Sequence, residues 1–117
     1  MKLHASGEDY LKTVFILQKE KGVVRSVDVA ERMRVSKPSV SHAVKLLREG
    51  GFLEMREDYS LHLTELGRCL GENLYERHQY FIEKLIDAGV DPTVAAGEAC
   101  KIEHAISEES FQRLKER

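Results

Sequence analysis

The chain has 117 residues, 42% hydrophobic and 32% charged, with two prolines, eight glycines and no tryptophan, a globular composition that excludes a disordered or collagen-like polypeptide. No apolar run approaches the about 18 residues needed to cross a bilayer, and Met1 to Gly7 holds no apolar stretch before the acidic pair Glu8-Asp9, so the expectation is a small cytoplasmic protein without membrane contact. The net charge of −2 is unevenly spread: residues 32–48 carry Arg32, Arg34, Lys37, Lys45 and Arg48 with no acid among them, whereas after Leu66 seven basic residues face ten acidic ones.

Tyr10, Leu11, Val14, Phe15 and Leu17 share a helical face between Gly7 and Lys21, predicting a first helix capped by Ser6 and stopped by Gly22. Ser26 is read as the cap of a second helix with Val27, Ala30 and Met33 inward, ending near Arg34. Ser36 caps a third, with Pro38 in its first turn, Val40, Val44, Leu46 and Leu47 inward, and Gly50-Gly51 as its end. The very short link between the second and third helices is that of a helix-turn-helix. Residues 52–56 and 61–63 alternate around a polar turn and read as a β-hairpin, or wing. After Thr64, a linker helix of about six turns carries Leu66, Leu70, Leu74, Phe81, Leu85 and Ile86 as far as Gly89. Asp91-Pro92 opens a helix through Val94, Ala95, Ala99, Ile102 and Ala105, and Ser107 opens a last one with Phe111 and Leu114 inward.

The predicted fold is therefore mainly α: a winged helix-turn-helix DNA-binding domain over 1–63, then a linker helix and helical domain over 64–117. A recognition helix enters the major groove with its N-terminal residues against base edges. Lys37, Ser39, Ser41 and His42 are the candidates for base contact, Pro38 for a thymine methyl, and Lys45, Arg48 and the wing's Arg56 for phosphate. A charged helix face is more often only solvated, but an acid-free basic run directly after a helix-turn-helix spacing points to double-stranded DNA.

In the second half, Cys100, Glu103 and His104 fall at i, i+3 and i+4, so a helix projects a thiol, a carboxylate and an imidazole from one face. That is a mixed sulfur, oxygen and nitrogen donor set for a divalent transition metal. Each residue alone has an ordinary reading, as a small buried thiol, a surface acid and a helix histidine. Asp9 and His78 are further donors that spacing alone does not bring there. Cys69 is expected buried or half-buried, His4 and His62 at the surface, and the small residues Ala95, Ala96, Gly97 and Ala99 either at a dimer contact or packed within one protomer.

Three stretches resemble the diphtheria toxin repressor and manganese transport regulator family of metal-dependent repressors: Glu8-Asp9-Tyr10-Leu11, the Pro38 to His42 segment with Val40-Ser41, and Glu98-Ala99-Cys100-Lys101-Ile102-Glu103-His104. The resemblance implies a homodimer with a C-terminal metal-binding and dimerisation domain, and a primary metal site of Asp9, Cys100, Glu103 and His104 tying the first helix to the second half. Bound metal would then act as corepressor, fixing two recognition helices for successive major grooves about 34 Å apart. The chain mixes the two branches, with the manganese branch's aspartate at Asp9 and the iron branch's cysteine at Cys100. The thiolate favours Fe²⁺, with Mn²⁺ or Zn²⁺ as alternatives. Of the family's second site only His78 matches. Lys12, Ile82 and Ala96 replace its other ligands, so one formed metal site per protomer is expected. With the chain stopping soon after Leu114, the family's third, SH3-like domain is expected to be absent.

No phosphate loop, nucleophile elbow or HExxH motif is present, so neither an enzyme nor a small-molecule substrate is expected. The alternative retained from the sequence is a winged-helix regulator that senses redox state through Cys100 instead of metal.

Overall fold

The computed structural model describes residues 3–117, so Met1 and Lys2 of the opening stretch lie outside the described residues. The chain divides into two compact units, Met1–Glu72 and Asn73–Arg117.

The first unit contains α1 (Ala5–Lys21), β1 (Val24–Arg25), α2 (Ser26–Met33), α3 (Lys37–Glu49), β2 (Leu53–Met55), β3 (Ser60–Leu63) and the start of α4 (Glu65–Asp87). The strands form an antiparallel sheet in the order β1-β3-β2, with Val24 opposite Leu61 and Met55 opposite Leu61 on the other side. Leu11, Val14 and Leu17 of α1 close over Val29 of α2, Val40, Val44 and Leu47 of α3, and Val24, Leu53 and Leu61 of the sheet. Leu11, Val14 and Leu17 stand at i, i+3 and i+6 of α1 and Val40, Val44 and Leu47 at i, i+4 and i+7 of α3, so each of these two helices lays one apolar stripe on the core.

Several local details differ from the sequence expectation. Helix α1 starts at Ala5 with His4 at its cap, so Ser6 is inside the helix. Helix α2 starts at Ser26 with Arg25 at its cap, and Asp28 Oδ2 accepts from the Arg25 amide at 2.8 Å. Asp28 also receives the Lys21 ammonium, and these two donors hold its carboxyl below the usual aspartate range. With this start, Val29 and Ala30 face inward and Val27 is exposed. On α3, Ala43 completes the buried stripe and Leu46 falls outside it. Strand β1 is an addition, since two residues are too few to show alternation and exist as a strand only by pairing with β3. The remaining ends agree: Gly22 terminates α1 at φ 83°, and Ser36 Oγ accepts from the Ser39 amide with Pro38 in the first turn of α3.

The second unit holds the rest of α4, then α5 (Pro92–Ala105) and α6 (Glu108–Lys115). Asp91 caps α5 through the Thr93 amide and Ser107 caps α6 through the Ser110 amide. Leu74 of α4, Ala95 and Ala99 of α5 and Phe111 of α6 are buried. Tyr80 and Phe81 meet the Phe111 ring at 5.4 and 6.0 Å between centroids. Leu66, Ile86, Val94 and Leu114, expected inward, are exposed, because Leu70 and Leu74 carry the inward stripe of α4 and Phe111 alone anchors α6. Cys69 is likewise exposed, about 100° round the helix from half-buried Leu70 and beside the Arg68, Glu65 and Glu72 ion pairs.

Arg77 fastens this unit. Its Nη1 donates to the carbonyls of Glu103 and Ile106, each at 3.2 Å, and its Nη2 to Glu108 Oε2 at 2.6 Å. Those carbonyls belong to the C-terminal end of α5, where no helical donor remains for them. Arg77→Ala is expected to lower stability by about 2–4 kcal/mol, since two main-chain acceptors and a carboxylate lose a charged donor together; urea unfolding measures it. The Arg77 guanidinium is also the main cause, ahead of Gln112, that holds Glu108 below the usual glutamate range. A depressed folded pKa contributes stability that is complete above the unfolded value and is lost as pH falls through the folded one. The acid limb of the pH and stability profile is thus expected to flatten in the variant.

Candidate metal centre and nucleic-acid interface

Helix α5 brings Cys100, Glu103 and His104 together as their spacing predicts. Each offers a donor atom, and these atoms lie within 4.8 Å of one another. Glu103 is the most enclosed, with 0% of its surface exposed, whereas Cys100 and His104 are half-buried. Around the carboxylate, His104 Nε2 lies 3.4 Å from Oε1 and His78 Nδ1, from α4, lies 2.9 Å from Oε2. A wholly buried carboxylate with imidazoles against both oxygens and a thiol one turn away fits a borderline divalent ion, for which sulfur, nitrogen and oxygen are all acceptable donors.

Asp9 lies in the first unit, on α1, half-buried, with Oδ1 3.9 Å from the ammonium of Lys12. Lys12 is itself buried, 7% exposed, an unusual place for a lysine and one that the sequence marks only as the replacement of a second-site ligand. Sequence reading missed Arg77 and the proximity of His78 to Glu103. The signal was present: Leu74, Arg77, His78 and Phe81 fall at i, i+3, i+4 and i+7, which places two polar side chains on an apolar helical stripe. Ala95 and Ala99 face the interior of their own protomer, whereas Gly97 faces open space.

The candidate DNA contacts all lie in the first unit and all are exposed: Lys37, Pro38, Ser39, Ser41, His42, Lys45 and Arg48 on α3, and Arg56 where the wing turns. Ser39 is partly committed, its Oγ receiving the Ser36 hydroxyl at 2.8 Å. Lys45, Arg48 and Arg56 line one concave surface between α3 and the wing. The wing is braced beneath: Asp58 Oδ1 accepts from the Ser60 amide at 3.0 Å, the Arg25 guanidinium meets Asp58 Oδ2 at 3.7 Å, and Ser60 Oγ lies 2.8 Å from His62 Nε2. His62 is therefore half-buried and engaged, whereas His4 is exposed as expected.

Comparison with known proteins gives two family matches: residues 2–61 match "Iron dependent repressor, N-terminal DNA binding domain", and residues 64–117 match "Iron dependent repressor, metal binding and dimerisation domain". The transcriptional regulator MntR of Escherichia coli O6:H1 is 35% identical over 108 residues, covering 92% of this chain and 70% of that protein. The diphtheria toxin repressor of Corynebacterium diphtheriae is 33% identical over 108 residues, covering 92% of this chain and 48% of its own length. Among solved structures, the manganese regulator SloR matches with a TM-score of 0.83 at 29% identity, over 94% of this chain and 52% of that one, and ScaR with bound Zn²⁺ matches with 0.75 at 29% over the same shares. The chain thus spans about half the length of several of the proteins it matches. No helix among the described residues is long and apolar enough to cross a membrane.

Proposed function

This chain belongs to the diphtheria toxin repressor and manganese transport regulator family of metal-dependent transcriptional repressors, and from that premise we propose that it is a cytoplasmic homodimeric repressor of metal-homeostasis genes. In this reading Cys100, Glu103 and His104 hold a divalent metal, and operator DNA is bound through α3. The single observation that carries it is the convergence of a thiol, a buried carboxylate and an imidazole on one face of α5. Asp9 is proposed as the fourth ligand, supported by its place in the family's first-helix motif. When bound, a divalent ion supplies the positive charge that a cluster of thiolate and carboxylates lacks. In this reading the fraction of dimers competent for the operator follows the occupancy of the site. Cys100 favours Fe²⁺ over Mn²⁺, and Zn²⁺ suits the same donors. With Ala95 and Ala99 committed to their own protomer, a dimer contact on α5 falls to the exposed Val94.

A Co²⁺ titration of the reduced protein tests the site. A saturable thiolate-to-metal absorption band at one equivalent per protomer is expected, absent in Cys100→Ser. No band in the parent protein would detach Cys100 from the metal. For the DNA surface, Lys45→Ala is expected to weaken binding to every duplex alike and to reduce the slope of log K against log salt by about 0.9. An unchanged slope would show that Lys45 does not meet phosphate. Changes at Ser39 or His42 instead alter preference among sequences, by about 1–3 kcal/mol per base position.

A further inference from the structure

We propose that Tyr59, at the turn of the wing, is a further DNA-contacting residue, whose ring packs on the deoxyribose of the duplex backbone beside the phosphates met by Lys45, Arg48 and Arg56. The inference deepens the operator-binding reading above and rests on it.

Three observations carry it. First, Tyr59 has φ 65°, in the left-handed region that bulky side chains avoid. Its amide donates to the Arg56 carbonyl at 2.9 Å and the Arg56 amide donates to the Ser60 carbonyl at 3.0 Å, so residues 57–59 form a loop that closes on a left-handed residue, a place usually given to glycine. Among the described residues Arg34 is the other non-glycine with positive φ, and it ends α2, where a left-handed residue is common. Second, packing does not repay the strain at Tyr59. The side chain is 73% exposed, the most of the large apolar residues described. Third, the turn that presents it is braced. Asp58 Oδ1 accepts from the Ser60 amide at 3.0 Å and from the Ser60 hydroxyl, while Arg25 Nε donates to the Asp58 carbonyl at 3.3 Å and its guanidinium lies 3.7 Å from Oδ2. The other end of the same turn, Arg56, lines the concave surface that Lys45 and Arg48 of α3 share with the wing. A strained aromatic held out in solvent beside phosphate-binding cations is prepared for a partner that the free protein does not supply.

Charge selects the part of the duplex. The loop carries Glu57 and Asp58 beside Tyr59, all three exposed, and although Asp58 faces Arg25, the Glu57 carboxylate repels phosphate. The tip of the wing is therefore not an electrostatic clamp. Deoxyribose is the uncharged, largely apolar part of the backbone, and an aromatic face suits it. Sugar contacts carry no sequence information directly, so Tyr59 adds affinity for every duplex alike. Only the cations of Lys and Arg displace counterions, so the same contact leaves the salt dependence unchanged, in contrast to Lys45.

The test measures binding, in the presence of Co²⁺, to an operator recovered by selection from random duplexes and to a random duplex of equal length. Tyr59→Asn is the informative variant, because asparagine takes the left-handed region readily and keeps the turn without the ring. It is expected to unfold at the parental temperature or above it, to bind both duplexes about 10-fold more weakly, and to keep the parental slope of log K against log salt. Tyr59→Phe, which keeps the ring, is expected to match the parent. In protein labelled with 3-fluorotyrosine, the ¹⁹F signal missing from Tyr59→Phe is expected to be broadened by a soluble gadolinium chelate in the free protein and shielded from it on the operator. Parental affinity in Tyr59→Asn, or a signal as accessible on the operator as off it, overturns the proposal and leaves the ring to a protein partner. Weaker binding accompanied by a shallower salt slope also overturns it, since the variant would then have displaced the wing's arginine. A parent protein that binds neither duplex removes the operator-binding reading and the proposal with it, whereas the other adverse outcomes remove the proposal alone.

Discussion

Glu103→Gln is expected to abolish metal-activated operator binding while leaving the protein folded. The carboxylate is wholly enclosed, and taking an ion out of water is costly unless its partners repay it. Gln preserves the volume and two polar atoms without that penalty. The imidazoles of His78 and His104 can exist uncharged, so the substitution strands no obligatory buried ion as it would beside a lysine. Apoprotein stability in urea is therefore expected to equal or exceed that of the parent. Metal affinity moves the other way, by more than the 10–100-fold typical of an outer-sphere partner, because an anionic ligand becomes a neutral one. On DNA, an operator first recovered by selection from random duplexes would be bound by the metal-loaded parent in the range of about 10⁻⁸–10⁻¹¹ M. The variant would bind it no better than non-specific duplex, about 10⁻⁴–10⁻⁶ M. Metal-stimulated binding of parental strength in a folded Glu103→Gln protein would remove Glu103 from the site.

What the sequence made legible was whatever one helix or one turn decides locally. Six helices, the wing and the caps at Ser36, Asp91 and Ser107 follow from periodicity and capping chemistry, and the i, i+3, i+4 spacing of Cys100, Glu103 and His104 places three donors on one face without knowledge of the fold. What was not legible depends on pairing across the chain. Strand β1 is created by Ser60 and Leu61, more than 30 residues away. His78 meets Glu103 across 25 positions, and Arg77 reaches Glu103, Ile106 and Glu108 from the same turn. The expected burial of Leu46, Leu66 and Leu114 failed for a related reason: an apolar residue beside the stripe is cheap to leave exposed, and the stripe alone does not say how wide the covering surface is. The cap at Ser26 failed because Asp28 reaches back to the Arg25 amide, which starts the helix with no polar side chain at the cap position itself.

Gly67 is the position where the largest effect on stability is expected, and no pattern in the sequence marks it. It occupies the first turn of α4, where a glycine ordinarily costs about 1 kcal/mol against alanine, so Gly67→Ala taken alone predicts a gain. A Cβ added there would lie 2.0 Å from the carbonyl oxygen of Phe52 and 2.9 Å from its carbon. The carbonyl cannot easily withdraw. It accepts the Thr64 amide at 3.1 Å, the Phe52 amide donates to Leu47 at 2.9 Å, and the Phe52 ring is part of the core. Thr64 Oγ1 adds bonds to the Gly51 carbonyl and from the Gly67 amide, at 2.6 and 3.1 Å. Relief must therefore come from moving α4 off the wing, and Gly67→Ala is expected to cost about 3–4 kcal/mol, at or above the upper end for an overpacked site. Gly97→Ala in α5 is the control: nothing lies within 4 Å of its added Cβ, and a gain of up to about 1 kcal/mol is expected from helix propensity. Thermal or urea unfolding of the two variants should give shifts of opposite sign for one chemical change. Equal shifts would mean that α4 does not press on the wing. The expected result would mean that the first turns of the linker helix are fastened to the DNA-binding unit by the close approach of one glycine to one carbonyl.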